Sequence, residues 1–205
     1  MKRVLSILFF LLAVSVFSAY SQTNSAFSEV CKSISSHKVT KGNFNQTKTI
    51  KKINREIKSS GTFIVASENG ILWNTKKPYK SSTAITKSGI VQTNAQGKKN
   101  VMAAGGNPTF EQVSALMTSL FAGDSDSLGK NFDIEFTGTT ENWNANLRPH
   151  DSSVRSFMDR IEMAGDSKIN TIILQEAGGD FTKYEFSAQN FADFLTDEEK
   201  SAFSR

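Results

Sequence analysis

The sequence predicts an α+β fold, mainly β, in which a curved antiparallel sheet carries helices on its apolar face. Three observations predict it. Between Phe44 and Gln92, short β-prone runs alternate with turn residues. Further on, Phe132, Ile134 and Phe136 alternate with Asp133 and Glu135, the period-2 pattern of a half-buried strand. Two segments, 24–38 and 108–122, instead repeat their apolar residues at helical spacing. A sheet with one apolar face must bury it against another layer, and two amphipathic helices supply that layer.

The chain begins with Met1-Lys2-Arg3 and an apolar run from Val4 to Phe17. That run is shorter than the ~20 residues a spanning helix needs. Ala19 and Ser21 place small residues at −3 and −1 of a cleavage before Gln22, the form of a secretory signal. The predicted organisation is a signal peptide over 1–21 and one domain over 22–205, long enough to bury a core without staples. No cysteine stands at the cleavage point, so no lipid-attachment signal is read there. Loss of Lys2 and Arg3 takes the formal charge from +4 to +2, so the pI of 9.1 belongs in part to the leader. Export argues against a nucleic-acid partner. Cys31 is the single cysteine and cannot form an internal disulfide; it is expected to pack as a small apolar residue.

In the first predicted helix, Asn24 or Ser25 caps the start and Glu29 lies near the positive end. Phe27, Val30, Cys31 and Ile34 form one stripe, opposite Ser28, Lys32 and Ser35. The meander follows. Asn69-Gly70 between Ser59–Val65 and Ile71–Trp73 is a strong hairpin signal, with both turn residues expected at positive φ. Ser88-Gly89 turns the chain again between Thr83–Thr86 and Ile90–Gln92. Between the first two strands lie Lys48, Lys51, Lys52, Arg55 and Lys58, with only Glu56 opposing them in that stretch. They form either a solvated hairpin end or a docking surface for anionic headgroups or an acidic partner.

Asn100–Ala104 is a further short strand, and Gly105-Gly106-Asn107-Pro108 breaks the sheet. Pro108 and the capping-box form Thr109-x-x-Gln112 open the second helix, with Gly123 after its end. Phe110, Val113, Leu116, Met117, Leu120 and Phe121 make its apolar face, which suits a core helix or a lid equally. Asp124–Gly129 reads as a polar loop. Strands are expected at Phe132–Phe136, Trp143–Leu147, Phe157–Met163, Ile169–Glu176 and Phe181–Phe186, and Gly178-Gly179-Asp180 turns between the last two. Thr196-x-x-Glu199 is a second capping box and opens a terminal helix through Phe203.

Catalytic chemistry has little to stand on. With His37 and His150 as the histidines and one cysteine, no zinc-type spacing exists, so no metal site and no cofactor are expected. There is no G-x-S-x-G elbow and no phosphate-cradling glycine loop. His150 beside Asp151 lacks a nucleophile context, and no catalytic residue is assigned. Two-faced strands and helices are what the chain does offer. They suit a closed sheet with a filled core, or an incomplete barrel around a hollow lined by Phe63, Val65, Trp73, Phe132, Ile134 and Phe136 and covered by Leu116, Met117 and Leu120.

The residues between Phe44 and Gln92 choose between these. F-x-Q at Phe44, S-S-G-T-F at Ser59, G-I-L-W-x-T-x-x-P-Y at Gly70 and I-T-x-S-G-I at Ile85 resemble the periplasmic outer-membrane lipoprotein carrier family, the LolA-like proteins. The Gly-Asp-x-Thr at Gly179 is similar to the family's ending. The resemblance implies an incomplete antiparallel half-barrel covered by lid helices. It also implies a non-enzymatic, monomeric periplasmic carrier that takes acylated lipoprotein, or a related glycolipid, from an inner-membrane release complex to an outer-membrane receptor. The nine residues just named as lining or covering the hollow would then bind lipid. A protein of the same fold whose hollow is filled by its own side chains, and which docks to a membrane or partner, is the alternative. One departure stands out: where the family carries an arginine near the end of the second strand that ties lid to barrel, this sequence has Ser67 and Glu68.

Overall fold

The computed structural model describes residues 25–103, 118–119 and 121–203. The predicted signal peptide, most of the predicted second helix, and with it Leu116, Met117 and Leu120, lie outside the described residues.

Helix α1 covers residues 25–35. Its predicted stripe turns inward, for Phe27, Val30 and Cys31 are buried and Ile34 packs beside them. Eleven strands follow in one antiparallel sheet: β1 (Val39–Ile50), β2 (Arg55–Ala66), β3 (Gly70–Lys77), β4 (Ser81–Thr86), β5 (Gly89–Asn94), β6 (Lys99–Ala103), β7 (Phe132–Thr139), β8 (Asn142–Pro149), β9 (Met158–Gly165), β10 (Ile169–Glu176) and β11 (Phe181–Ala192). Their order is β6-β5-β4-β3-β2-β1-β11-β10-β9-β8-β7. Two meanders thus run outward from β1 and β11, which pair at the centre. The sheet stays open, since β6 and β7 stand at opposite ends of that order. Further helices are α2 (Ser125–Asn131), α3 (Ser152–Arg155) and α4 (Asp197–Phe203), with residues 118–119 and 121–122 helical just before α2 and a 3-10 turn over Lys51–Ile53.

The sheet curls. Phe27 of α1 meets Phe136 of β7, with ring centroids 5.7 Å apart. Ile34, about 10 Å further along the same helix at 1.5 Å per residue, lines a cleft with Phe63 and Val65 of β2. Six strand spacings separate β2 from β7, about 29 Å in a flat sheet. One short helix touches both only because the sheet bends around it. Alternation along each strand then sorts side chains to two faces. Phe44, Phe63, Phe132, Phe136, Trp143, Leu147, Ile161, Ile172 and Phe186 go to the hollow face, with Leu128 of α2. Val39, Ile64, Ala66, Leu72 and Ala84 go to the outer face, where Leu195 and Phe203 cover them.

Four local readings need correcting. Asp124–Gly129 is not a loop: the Asp124 carboxylate accepts the Ser127 N–H at 3.0 Å and caps α2, which buries Leu128. A polar composition hid one apolar anchor and one cap. At Asn69-Gly70, Gly70 alone takes positive φ (108°), because Ala66 pairs with Gly70 and three residues, not two, make the turn. Of the basic residues placed between the first two strands, Lys48, Arg55 and Lys58 belong to the strands themselves, for β1 runs to Ile50 and β2 starts at Arg55. Finally, β11 continues six residues past Phe186. A register shift opposite Lys41/Asn43 and a left-handed Ala188 (φ 49°) interrupt the alternation that would have revealed the extension.

The terminal capping box forms as the sequence predicts. The Glu199 N–H donates to Thr196 Oγ1 at 3.2 Å, and the Thr196 N–H donates to Glu199 Oε2 at 2.8 Å. The same carboxylate accepts from Lys41 Nζ at 2.6 Å, which fastens α4 to β1.

Candidate functional site: the hollow face of the sheet

Rings dominate the hollow face near its centre. Phe44 of β1 lies 4.4 Å from Trp73 of β3, centroid to centroid, and Phe63 of β2 stands edge-on to Phe186 of β11 at 5.1 Å. Tyr184 meets Trp73 at right angles, 5.5 Å away. Pairing produces this grouping directly: Phe63 faces Trp73 across β2 and β3, and Phe44 faces Phe186 across β1 and β11. Such edge-on and tilted pairs stabilise by about 0.5–1.5 kcal/mol each beyond the area they bury. Burial raises the Tyr184 phenol above its usual range, and the nearby Glu176 charge adds to this.

Phe121 closes the group from above. It comes from the segment that precedes α2, and its ring lies within 6.5 Å of Phe63, Trp73 and Phe186. Gly123 follows at φ 61°, packed on the Cys31 carbonyl of α1 so closely that no side chain fits between them. The cover is therefore keyed to α1 through backbone contact. Burial first, and then the Asp124 charge, push the Cys31 thiol up to about 12, so it is inert at neutral pH.

Two clefts open at the rim beside Phe121, and both are lined by Thr40, Val65 and Phe121. One has a cavity volume of about 30 Å³ and reaches Ser35 and His37 at the end of α1. The other has a cavity volume of about 20 Å³ and reaches Ile34, Phe63 and Phe191. His37 stacks on Phe191 at 3.5 Å, and Lys168 Nζ lies 5.7 Å from the centroid of the same Phe191 ring. Ser67 stands at the lip of the first cleft, where the resemblance expects an arginine. There the Ser67 N–H donates to the Lys38 carbonyl at 3.0 Å, a backbone tie between the end of β2 and the segment after α1.

All six described residues predicted to line the hollow lie in or against its single apolar cluster. Phe63, Phe132 and Phe136 are buried, whereas Val65, Trp73 and Ile134 are half-buried. The three predicted cover residues lie outside the described residues, and Phe121 takes the covering position that can be seen. The sequence puts Phe121 on the same helix face, but Phe121 is not among the predicted cover residues, nor are Phe44, Tyr184 and Phe186 among the predicted lining ones. The F-x-Q motif and the alternation at Phe181–Phe186 were the signals that could have found them.

The five basic residues do gather at one end of the sheet. Lys51, Lys52, Arg55 and Lys58 are exposed. Lys48 is not free, because it pairs with Glu176 at 2.7 Å, and Lys58 pairs with Glu56 at 3.2 Å. The first of these acids comes from β10, a neighbour only the topology reveals. His150 and Asp151 diverge: the imidazole reaches Asp133 at 3.0 Å, while the Asp151 carboxylate caps α3 through the Ser153 and Val154 N–H groups. Among the described residues, no three His, Cys, Asp or Glu side chains cluster as a metal site. No described helix is long and apolar enough to cross a membrane.

A hollow-faced open sheet with helices over it is the geometry that the motifs between Phe44 and Gln92 imply. Residues 35–199 match the family model for outer membrane lipoprotein carrier protein LolA. The chain belongs to this family. Solved structures to which this LolA-family chain is similar include a LolA superfamily protein from Nitrosomonas europaea, at 9% identity and TM-score 0.49, covering 86% of this chain and 96% of that one. Another is a DUF1329 family protein from Desulfovibrio piger, at 8% identity and TM-score 0.47, covering 85% and 95%. A third is a putative outer membrane lipoprotein-sorting protein domain from Vibrio parahaemolyticus, at 8% identity and TM-score 0.44, covering 87% and 98%. No curated protein matches.

Proposed function

We propose that this LolA-family chain is a non-enzymatic periplasmic carrier that shelters acyl chains of a lipoprotein, or of a related glycolipid, in the hollow of its sheet. On this reading it moves them from an inner-membrane release complex to an outer-membrane receptor. The observation that carries the reading is the ring-lined hollow of an unclosed sheet, covered by α1 and Phe121 instead of by a further strand. Acyl chains left in water cost about 0.8 kcal/mol per CH₂. A soluble carrier therefore needs an apolar wall and a removable cover, and a cover held by packing can lift where a hydrogen-bonded strand cannot. Val65, Trp73 and Ile134 are half-buried at that wall, as residues meant to meet a guest would be. Phe63, Phe132 and Phe136, with Leu116, Met117 and Leu120 from the cover, complete the proposed lipid site.

The second reading, a docking protein with a self-filled hollow, has its own support. Phe44 and Phe63 are only 1% and 2% exposed, already covered by the chain's own residues. The two readings differ in whether a guest displaces that cover. Brominated fatty acid titrated into the mature protein separates them. A carrier shows quenching of Trp emission that Trp73→Phe largely removes, and mass spectrometry of protein purified from the periplasm finds acylated molecules. An unquenched, empty protein establishes the second reading.

A further inference from the structure

We infer that the tip of the β1–β2 hairpin is a membrane-contact device that inserts Ile53 and Ile57 into the headgroup region of an anionic bilayer. The tip is built, not frayed. A 3-10 turn over Lys51–Ile53 ends at Asn54 in the left-handed region (φ 48°), and the Asn54 N–H closes it on the Lys51 carbonyl at 3.1 Å. The Lys51 N–H donates to the Asp180 carboxylate at 2.9 Å, which braces the turn against the neighbouring β10–β11 hairpin. On its other flank the tip projects. The β2–β3 pairing stops at Ser60, so residues 55–59 run on beyond β3, about 17 Å of strand at 3.3–3.4 Å per residue.

What this rigid tip shows to solvent is unusual in kind. Ile53 is 60% exposed and Ile57 47% exposed, two of seven large apolar side chains exposed among the described residues and the two that share a tip with a run of cations. Lys51, Lys52 and Arg55 lie beside them in the chain and are exposed, while Lys58, on the other face of β2 from Ile57, pairs with Glu56, the single acid of the segment. A surface selected for solubility alone would leave the cations and replace the isoleucines. Cations beside an exposed apolar apex match an anionic lipid surface: ammonium and guanidinium groups meet phosphates while the aliphatic apex enters the acyl boundary. Each basic residue brought to such a surface strengthens partitioning about fivefold and is weakened by salt. An acidic protein surface would use the same cations but gives the two isoleucines no reason to face water. The contact is independent of cargo, since a chain with an empty hollow would still make it.

The test uses the mature protein with phosphatidylglycerol-containing vesicles and with pure phosphatidylcholine vesicles. Sedimentation with the anionic vesicles alone is expected, falling as salt rises and lost in the Lys51→Glu/Lys52→Glu variant. Ile53→Ser/Ile57→Ser should weaken it about tenfold while the thermal melt stays put, because both side chains touch little. In Ile53→Cys, the buried Cys31 leaves the introduced thiol as the reactive one. An environment-sensitive dye placed there should brighten and shift to the blue on anionic vesicles. Failure to bind those vesicles, serine variants that bind as well as the parent, or a dye that stays in water would each overturn the inference.

Discussion

Phe121 stands edge-on to Phe186, with ring centroids 5.7 Å apart and planes at 84°. One residue belongs to the cover and the other to the long strand beside the sheet's centre, so the pair is where cover and wall meet. Phe121 is half-buried and lines both rim clefts, whereas Phe186 is buried beneath it. This contact separates the enclosed aromatic group from water.

Removing the outer ring should therefore loosen the rim without collapsing the wall. Full Phe→Ala truncations in cores cost ~3–5 kcal/mol. A half-exposed ring should cost less, about 1–2 kcal/mol, read as a melting temperature lower by several degrees. Phe121→Ala should also enlarge the opening onto Trp73. Binding of an apolar fluorescent probe should rise although the protein is less stable. A variant that loses stability and gains no probe binding would mean that Phe121 belongs to a sealed core.

Gly123 allows a comparison with Gly97. Both hold positive φ, 61° and 76°, so alanine at either carries the strain of the left-handed region, about 1–2 kcal/mol. They differ in their neighbours. A Cβ at Gly97 meets nothing, whereas one at Gly123 collides with the Cys31 carbonyl. Gly123→Ala should cost at least about twice as much as Gly97→Ala in chemical denaturation, because α1 must shift off the sheet. Equal costs would show that the cover and α1 move independently.

Much of this site was legible from the chain and part was not, for physical reasons. Alternation at Phe132–Phe136 and the stripe at Phe27–Ile34 report burial directly, since each follows from the period of its element. The order of strands is not local. Nothing between Lys48 and Lys58 reveals that Glu176 and Asp180 will lie beside them, because β10 and β11 arrive there through pairing 120–130 residues later in the chain. Helix α2 was missed because a seven-residue helix anchored by Leu128 alone has no period to detect. The extension of β11 escaped because its bulge breaks the alternation on which a strand is recognised.

The Lys41–Glu199 pair should make the attachment of α4 sensitive to acid. Burial raises the Glu199 carboxyl, but hydrogen bonds from Lys41 and Thr196 outweigh it and hold the group below its ordinary value. A lowered pKa in the folded state stabilises above the unfolded value, and that contribution disappears as pH falls through the folded one. Glutamine keeps the capping box and removes the charge. Glu199→Gln should melt lower than the parent at neutral pH by about 1 kcal/mol, as a partly exposed pair would. The gap should close below about pH 4. A gap that persists in acid would assign the effect to packing of α4 instead of to the ion pair.

Cys31 offers a way to watch the cover. The thiol is 3% exposed and, at about 12, holds roughly a thousandfold less thiolate than a free cysteine at the same pH. An aromatic disulfide reagent should therefore modify the empty protein at a rate set by the lifting of α1, and should modify the unfolded chain at once. Acyl cargo changes this rate under one reading of the hollow and leaves it unchanged under the other. If the guest enters beneath α1, the helix is displaced, Phe27, Val30 and Cys31 leave the wall together, and thiol modification should speed up at least about tenfold at saturating fatty acid. If the hollow is filled by the protein's own rings, fatty acid binds nowhere near α1 and the rate stays where it was. Trp73→Phe, which keeps an apolar ring in place, should leave the acceleration intact. A general destabilisation by detergent-like fatty acid would instead lower the melting temperature alongside the faster rate, and a melt at the same concentration distinguishes that case from a specific opening.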